Sequence, residues 1–415
     1  MNLPADVTAT SGKLSAAEFL EYLLEVGGTL LSYGCPTHRL EDLVRELARS
    51  EGYDASVFAV PTGLFVTLTA PGETPLFRMI RVEEWAVDLE RLMLVDAILN
   101  EAAAHKVPIQ EARRRLHDLE KLPRPYPRPL FWAATAGAAG ASAVFFRGGP
   151  WEALIGAAGG ALIGLIGWQL GRSRSARYLS DFAGGATAAL VAGAITRAWP
   201  ELSREVLVLS GVILLVPGMA LTTGLAELAR KNLVSGAARL MEALITFLSI
   251  VFGIALVVGL ESMMGGTPAA PSPPEGLALP WQLLALVVAS LSFGVLFRVP
   301  RRLLITAVAS GAMAWLAMLL GGSLPGHIAA FAAALALCLY ANGVARLTHR
   351  PAQVFLLPGM VLLVPGSFGF RSLEAILRGD LLGGAMRGFE MFLIAGALVT
   401  GLLVGNVVLP AKKIL

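Results

Sequence analysis

Ten apolar segments fill most of the chain after residue 130. Each is long enough to cross, as a helix, the roughly 30 Å hydrocarbon core of a bilayer, and short breaks separate them. Only 15% of the residues are charged, against roughly 25% in an ordinary soluble domain. We therefore predict a polytopic helical membrane protein with spans at about 130–146, 151–170, 179–197, 205–224, 237–260, 281–297, 302–320, 325–345, 352–372 and 385–408.

One pattern occurs twice in this apolar region. Leu-Leu-Val-Pro-Gly begins at Leu214 and again at Leu362, 148 residues later. Proline removes a backbone donor and glycine loosens the chain, so we expect a spanning helix to be interrupted at each Pro-Gly. The same offset relates four further pairs, which are Arg230 and Arg378, Gly236 and Gly384, Arg239 and Arg387, and Glu242 and Glu390.

The repeat predicts two halves that lie in the membrane in opposite senses. Each half holds five spans, and an odd number of crossings inverts the second copy relative to the first. We therefore expect about ten transmembrane helices arranged as two inverted five-helix repeats. In secondary transporters, matched helix breaks of this kind line a central site, which alternating access exposes to each side in turn.

Basic residues predict the orientation. The N-terminus lacks a basic start followed by an apolar core, so we expect no cleavable signal peptide. A multi-pass protein of the inner or plasma membrane with both termini cytoplasmic puts most Lys and Arg on the inner side, as the positive-inside rule favours. Arg371, Arg378 and Arg387 are the exceptions, because this topology places them on or near the outer side.

The part before the membrane reads as a small α+β cytoplasmic domain. Ser15 and Glu18 form a capping box that starts a helix, and Pro/Gly-separated runs of Val, Phe and Leu predict three strands between two pairs of helices. The predicted organisation is a mobile N-terminus at 1–14, the α+β domain at 15–122, a Pro-rich linker at 123–129, a first five-helix unit at 130–260, an external Pro-rich loop at 261–280 and a second five-helix unit at 281–415.

Several classes of chemistry find no support in the sequence. There is no Walker loop, no His-Glu-x-x-His pair and no Gly-x-Ser-x-Gly elbow, so we predict neither an enzyme nor a bound cofactor. The histidines are not at ligand spacing, and Cys35 and Cys338 cannot build a metal quartet or a disulfide framework. A net charge of +3 is weak evidence for a nucleic-acid partner, and none is expected.

The membrane half holds the candidate site residues. Helices restarting after Pro217-Gly218 and Pro365-Gly366 present backbone donors suited to a substrate carboxylate. Hydroxyl and amide groups that could add contacts are Thr222, Thr223, Ser367 and Asn342. Acidic side chains in a bilayer are costly and often functional, so the proton-coupling candidates are Asp181, Glu242 and Glu390, the last two each three residues after an arginine, Arg239 or Arg387. Ordinary ion pairing and helix capping are the alternative interpretations of these charges.

These residues resemble the threonine/serine exporter family over nearly the whole chain. Gly34-Cys-Pro-Thr-His-Arg-Leu-Glu41 is similar to the family's Gly-Ala-Ser-Thr-x-Arg-Val-Glu segment, and the run from Val60 to Thr67 is similar to its following strand pair. The stretch from Pro217 to Glu227, with Gly236 and Arg239, resembles the family's Pro-Gly segment. The stretch from Pro365 to Arg371, with Asp380, resembles the smaller membrane unit that some relatives carry as a separate chain.

The resemblance implies a secondary exporter of threonine and serine that is driven by the proton motive force. It adds Glu227, Asn232 and Asp380 to the translocation candidates, and it marks Thr37, Arg39, Glu41, Pro61 and Thr62 as a cytoplasmic-domain motif. Cys35, Pro36, Thr223, Glu227 and Lys231 depart from the residues that the family pattern leads us to expect.

Alternatives remain open from the sequence. Split two-chain relatives are associated with dicarboxylate export, so succinate is the second candidate substrate. A passive channel would need a continuous polar stripe, and a membrane-tethered enzyme would place its chemistry in 15–122. Thr37, Arg39 and Glu41 have two interpretations. In the functional one, their domain is a substrate-sensing gate or a vestigial hydrolase, and in the structural one, these residues cap a helix and pair on the surface. Glycines at four-residue spacing from Gly156 indicate close helix packing, which would also allow a homo-oligomer.

Overall fold

The computed structural model describes residues 14–83, 86–173, 175–264, 276–377 and 379–411. The predicted mobile N-terminus, most of the 261–280 connection and the side chains of Arg174 and Arg378 therefore lie outside the described residues. The chain forms two compact units. One comprises 1–86 and 97–121, and the other comprises 87–96 and 122–415.

The first unit has the predicted order of elements. Its helices and strands are α1 (Ala16–Ser32), α2 (Thr37–Ser50), β1 (Asp54–Val60), β2 (Gly63–Thr69), β3 (Leu76–Arg81), the second half of α3 (Leu89–Ala103) and α4 (Ile109–Lys121). The predicted capping box is confirmed. The Ser15 hydroxyl accepts from the Glu18 amide at 3.3 Å, and the Glu18 carboxylate accepts from the Ser15 amide at 2.9 Å, so both end donors of α1 are satisfied.

The three strands form the predicted antiparallel meander in the order β1-β2-β3. Side chains alternate along a strand, and the inward set, with Leu64, Val66 and Leu68, is buried, on the side of the sheet where α1 and α2 contact it. The opposite face exposes Phe58 and Phe77. The sheet thus has one face in the core of this unit.

Residues 87–96 belong to the membrane unit although they precede it in the chain. The first amides of α3, those of Leu89 and Glu90, donate to the carbonyls of Phe297 and Arg298 at 3.0 and 3.1 Å. The buried Asp88 carboxylate accepts from the Arg91 amide at 3.0 Å and from the Arg298 guanidinium at 2.7 Å. The Asp88 carboxylate therefore caps α3 and also binds Arg298, which lies just after the helix Leu279–Leu296.

A tyrosine strengthens the same junction. The Tyr126 hydroxyl donates to the Val299 carbonyl at 2.5 Å, and the Arg301 guanidinium lies 5.7 Å from the Tyr126 ring centroid. Burial raises the pKa of the Tyr126 phenol to about 12, so it stays a neutral donor at every physiological pH.

Among the described residues of the membrane unit, twelve α-helices follow. They are α5 (Arg128–Phe145), α6 (Pro150–Leu170), α7 (Ser180–Ala198), α8 (Arg204–Val212), α9 (Gly218–Ala229), α10 (Leu233–Met263), α11 (Leu279–Leu296), α12 (Leu304–Leu320), α13 (Gly326–Thr348), α14 (Gln353–Leu363), α15 (Gly366–Leu377) and α16 (Leu381–Val408).

Within the described residues, eight segments are long and apolar enough to cross a membrane. They are α6, α7, α10, α11, α12, α13, the α14–α15 segment and α16, some with a flanking turn. Two of the ten predicted spans are not among them, those at 130–146 and 205–224. The first corresponds to α5, which is rich in Ala and Gly, and the second to the short pieces α8 and α9.

The same helix pairs pack in both halves of the membrane unit. The contacts of α5 with α6, α6 with α8, α7 with α10 and α9 with α10 recur as those of α11 with α12, α12 with α14, α13 with α16 and α15 with α16. Between the halves, α5 packs on α11, α9 on α16 and α10 on α15. Each half therefore repeats one packing arrangement and interlocks with the other.

The glycine stripe of α6 is a packing surface, as the sequence indicated. A methyl group on Gly156 would lie 2.6 Å from the Ser210 hydroxyl of α8, and one on Gly160 would collide with Ala139 of α5. Small residues here let three helix backbones approach closely.

We predict that Lys231→Gly stabilises the protein. Lys231 joins α9 to α10 with a φ of +66°, whereas its repeat counterpart Gly379 joins α15 to α16 at +88°. A side chain in the left-handed region costs about 1–2 kcal/mol, so glycine should raise the free energy of unfolding by about 0.5–1 kcal/mol after its entropy cost. Thermal unfolding in detergent measures this.

The matched control is Gly379→Ala, which introduces the strain that Lys231→Gly removes. It should lower the stability by about 1 kcal/mol. Equal shifts of the same sign in the two variants would contradict the strain argument.

Candidate functional site

Both predicted helix breaks are present. The first broken segment stops as α8 at Val212 and restarts as α9 at Gly218, and the second stops as α14 at Leu363 and restarts as α15 at Gly366. Val364 between the latter two is extended. Pro217 and Pro365 supply the carbonyls to which the first turns of α9 and α15 bond, so each proline sits where it loses no helical donor.

The two breaks contact each other reciprocally. A methyl group on Gly218 would collide with the Val364 side chain and lie 3.5 Å from the Gly366 Cα, and one on Gly366 would collide with Val216 and lie 3.7 Å from the Gly218 Cα. Val216 and Val364 are themselves 148 residues apart. Each valine packs on the glycine of the other repeat, a contact that the sequence analysis missed although the repeat offset signals it.

The charge at this contact favours an anion. The first turn of a helix leaves backbone N–H groups without intrahelical acceptors, and its dipole end is positive. Two such helix starts, those of α9 and α15, meet at the breaks. The side chains of Val364 and Val216 pack against the two glycines, so a carboxylate that binds to these backbone donors would have to displace them or enter beside them.

The predicted hydroxyl groups are divided between structural and accessible roles. Thr222 is buried, and its hydroxyl donates to the Gly218 carbonyl at 3.0 Å. Thr223 and Ser367 are half-buried, Ser367 in the first turn of α15 and Thr223 in the second turn of α9. Thr222 therefore fixes the first turn of α9, and the other two hydroxyls remain candidates for substrate contact.

A buried ion pair lies at the other end of α9. The Arg239 guanidinium is 3.2 Å from the Glu227 carboxylate, with side chains 8% and 0% exposed. The pair joins α9 to α10. Its repeat counterparts are Ala375 and Arg387, so only the first half carries it. A buried charge is tolerated only when it is paired and hydrogen-bonded, which makes Glu227 and Arg239 one unit.

The sequence led us to expect Arg239 to pair with Glu242, and Arg387 with Glu390. Instead, Glu242, Arg387 and Glu390 are all exposed on the outer surfaces of α10 and α16. Three residues along a helix turn the side chain by about 300°. The buried stripe of α10 therefore passes through Arg239 and Ala243 and leaves Glu242 outside it.

Asp181 lies near the start of α7 and is half-buried. The hydroxyl groups of Ser180 and Thr246 lie near its carboxylate. Thr246 belongs to α10, one turn after Glu242. Asp181 is thus the acidic residue, of the three proton-coupling candidates, whose contacts join two packed helices.

The remaining membrane candidates sit at helix ends. Asn342 is buried, and its amide donates to the Asn406 side chain and the Leu409 carbonyl at 2.9 and 2.8 Å. Asp380 is exposed and caps α16 by accepting from the Gly383 amide at 2.9 Å. Its repeat counterpart Asn232 stands at the start of α10 and is half-buried. The contacts of Asn342 and Asp380 fix α13 and α16 rather than the breaks.

The cytoplasmic-domain motif lies in the first unit. The Glu41 carboxylate accepts from the Ala59 amide of β1 and from Arg45, both at 2.9 Å, and is buried rather than outward-facing. Thr37 is buried and Arg39 half-buried. Pro61 and Thr62 form the turn between β1 and β2, where the Thr62 carbonyl accepts from Val82 at 3.0 Å. The contact of Glu41 with Ala59 ties α2 to β1.

No group of three or more His, Cys, Asp or Glu side chains in the described part of the chain could hold a metal ion.

Comparison with known proteins gives matches over both membrane halves. The family model described as "Putative threonine/serine exporter" matches residues 21–261, and that described as "Threonine/Serine exporter, ThrE" matches residues 282–408. No solved structure matches the chain.

A probable threonine/serine exporter of Mycobacterium tuberculosis is 27% identical over 413 residues, which cover 95% of this chain and 77% of that protein. A pheromone-regulated membrane protein 10 of Yarrowia lipolytica is 24% identical over 84% of this chain and 30% of its own length. An uncharacterized Schizosaccharomyces pombe protein is 28% identical over 59% and 33%, respectively. The chain thus spans about a third of these fungal relatives.

We predict that Glu227→Gln lowers the free energy of unfolding by about 3 kcal/mol, because it leaves the Arg239 guanidinium buried beside a neutral amide. The double variant Glu227→Gln/Arg239→Gln should lose less than the two single variants together. Arg387→Gln, the exposed repeat counterpart, is the control and should change stability by less than about 0.5 kcal/mol. Unfolding in detergent measures all four, and equal losses at 227 and 387 would contradict the buried-pair argument.

Proposed function

The chain belongs to the threonine/serine exporter family, and we propose that it exports threonine and serine across the cell membrane as a secondary transporter. The observation that carries the proposal is the reciprocal contact of the two Pro-Gly breaks. Discontinuous helices that meet near the middle of the bilayer form the substrate sites of many secondary transporters. The relatives that are named as exporters agree with this assignment.

We further propose that the membrane unit is a ten-span inverted repeat. In this arrangement α5 is the first span, and the broken α8–α9 and α14–α15 segments are the fourth and ninth. Support comes from the matched helix pairs in the two halves. The exchange of Val216 and Val364 across Gly366 and Gly218 is the contact expected on a pseudo-twofold axis.

In the proposed mechanism, the carboxylate of the amino acid meets the backbone donors at the starts of α9 and α15. Thr223 or Ser367 contacts its polar side chain. Rocking of one repeat against the other exposes this site first to the cytoplasm and then to the exterior. Because the glycines allow the two breaks to touch, a small shift between the repeats changes the space at the site.

Proton influx is the proposed driving force, with Asp181, Glu242 and Glu390 as the candidate carriers. A carrier must change its exposure between states and affect helix packing when it is protonated. Asp181 satisfies the second condition best, since it lies on α7 near the Thr246 hydroxyl of α10, and these two helices pack together. The exposed positions of Glu242 and Glu390 favour a role at the membrane surface, where long side chains reach the interface.

We predict that Gly218→Ala slows efflux of labelled threonine and serine from preloaded cells by about tenfold. The added methyl group collides with Val364, and overpacking costs about 1–3 kcal/mol. The compensated variant Gly218→Ala/Val364→Ala removes the colliding methyl groups and should recover part of the rate. Gly366→Ala and Gly366→Ala/Val216→Ala form the matched set for the other repeat.

Membrane content of each variant is measured in parallel, so that a folding defect is not taken for a transport defect. Wild-type cells that retain threonine and serine but release succinate would move the substrate to the dicarboxylates. Release of none of the three would reject the exporter proposal for these substrates.

We predict that Asp181→Asn makes threonine efflux insensitive to an uncoupler, because the amide cannot carry a proton. Wild-type efflux should fall when the proton gradient is dissipated, and Asp181→Asn efflux should be slow with or without the uncoupler. Glu242→Gln and Glu390→Gln are the comparison variants and should stay uncoupler-sensitive. If efflux by Asp181→Asn stays uncoupler-sensitive and efflux by one of the glutamate variants does not, that glutamate and not Asp181 carries the proton.

A further inference from the structure

We propose that Arg371 and Glu205 form a latch between the two repeats, which holds one end of the membrane unit closed. The inference rests on the proposed alternating-access mechanism and adds to it the contact that must break when this end opens. Under the predicted orientation, this end faces the exterior.

The geometry joins one side chain of the second half to two elements of the first. Arg371 lies on α15, and its Nε is 3.0 Å from the Oε1 of Glu205 in the first turn of α8. The atoms are paired by charge without hydrogen-bond alignment. The same guanidinium lies 6.0 Å from the ring centroid of Phe146, which ends α5. Arg371 thus bridges the repeats by an ion pair and a cation–π contact.

The repeat supplies no such pair at the opposite end. Moving by 148 residues along the chain relates Glu205 to Gln353 and Arg371 to Thr223, and neither counterpart carries charge. In an inverted repeat, the two end states are exchanged by swapping the conformations of the halves. A contact that exists at only one end therefore stabilises one of the two states relative to the other.

A second ion pair lies nearby in the chain but does not join the halves. The Arg204 guanidinium is 2.6 Å from the Glu261 carboxylate, and both residues belong to the first half, on α8 and α10. This pair moves with its own repeat and is the natural control. A comparison of the two pairs separates loss of charge pairing from loss of contact between the repeats.

The exposure of the latch suits a contact that opens in each transport cycle. The side chains of Arg371 and Glu205 are 39% and 47% exposed. Ion pairs of this kind are weak and screened by salt, so they bias an equilibrium without locking it. The buried Glu227–Arg239 pair, by contrast, lies within one half and would be expensive to break.

The test measures access to the break directly. A reporter cysteine replaces Ser367 in a chain whose two native cysteines are changed to alanine, and its rate of labelling by a membrane-impermeant maleimide is followed in intact cells and in inverted vesicles. The variants are Glu205→Gln, Arg371→Gln, the exchange Glu205→Arg/Arg371→Glu and the control Arg204→Gln/Glu261→Gln. No substrate is needed.

We expect Glu205→Gln and Arg371→Gln each to raise the labelling rate about two- to fivefold from one side of the membrane, the size of effect that a half-exposed ion pair supports. Labelling from the other side should fall or stay constant. The charge exchange should return the rate toward that of the parent, and the Arg204/Glu261 control should leave it unchanged. In the parent alone, high salt should raise the rate in the same direction.

Unchanged rates in both single variants, or an equal rise in the control, would overturn the latch. If a variant does not fold, Arg371→Lys, which keeps the charge, and the salt dependence of the parent decide the question. A labelling response in the reporter chain, together with absent threonine efflux from cells that carry the wild-type chain, would reject the substrate and keep the latch. Threonine efflux by the wild-type chain, with no labelling response in the reporter chain, would support the substrate and reject the latch.

Discussion

The membrane unit depends on the contact of two glycines. Gly218 and Gly366 bring two interrupted helices to backbone distance, with Val216 and Val364 crossing between them. A larger residue at either position would push the repeats apart at their shared centre. The meeting of the two helix starts and the exchange of side chains between the halves both follow from this approach. At each break, the Pro-Gly dipeptide thus allows close packing of the two repeats and also starts a helix whose first backbone N–H groups are polar.

The two halves also contact each other through their hydrophobic cores. Phe370 of the second half is buried in the cluster that contains Phe247 and Ile250 of the first, whereas Met219 of the first half packs on the cluster around Leu337. Each half therefore completes the core of the other. The halves are nevertheless not equivalent in charge. Glu227 and Arg239 form a buried pair in one half, where the other half has Ala375 and an exposed Arg387.

Much of this architecture could be predicted from the sequence, because its signals are local or periodic. The capping box at Ser15, the three short strands and the Pro-Gly breaks follow from backbone chemistry, and the repeat follows from counting. The partner of Arg239 could not be predicted in the same way. Glu227 lies 12 residues earlier on a different helix, and the choice between it and Glu242 depends on which stripe of α10 faces inward. Small residues at 235, 236 and 243 mark that stripe. Only the packing of α9 against it shows that Arg239 faces Glu227.

The junction between α3 and the carbonyls of Phe297 and Arg298 has a bearing on how this chain can be divided. Asp88 and the first turn of α3 precede the first membrane helix by about forty positions, yet they cap the connection between two helices of the second half. A shortened chain that starts at the Pro-rich linker would leave those carbonyls and the Arg298 guanidinium without these donors and this acceptor. Loss of activity after such a truncation would therefore report on a damaged helix junction as readily as on a missing sensor. The two units meet at three places in the chain, after residues 86, 96 and 121, so no single cut separates them, and one of the three boundaries runs through α3.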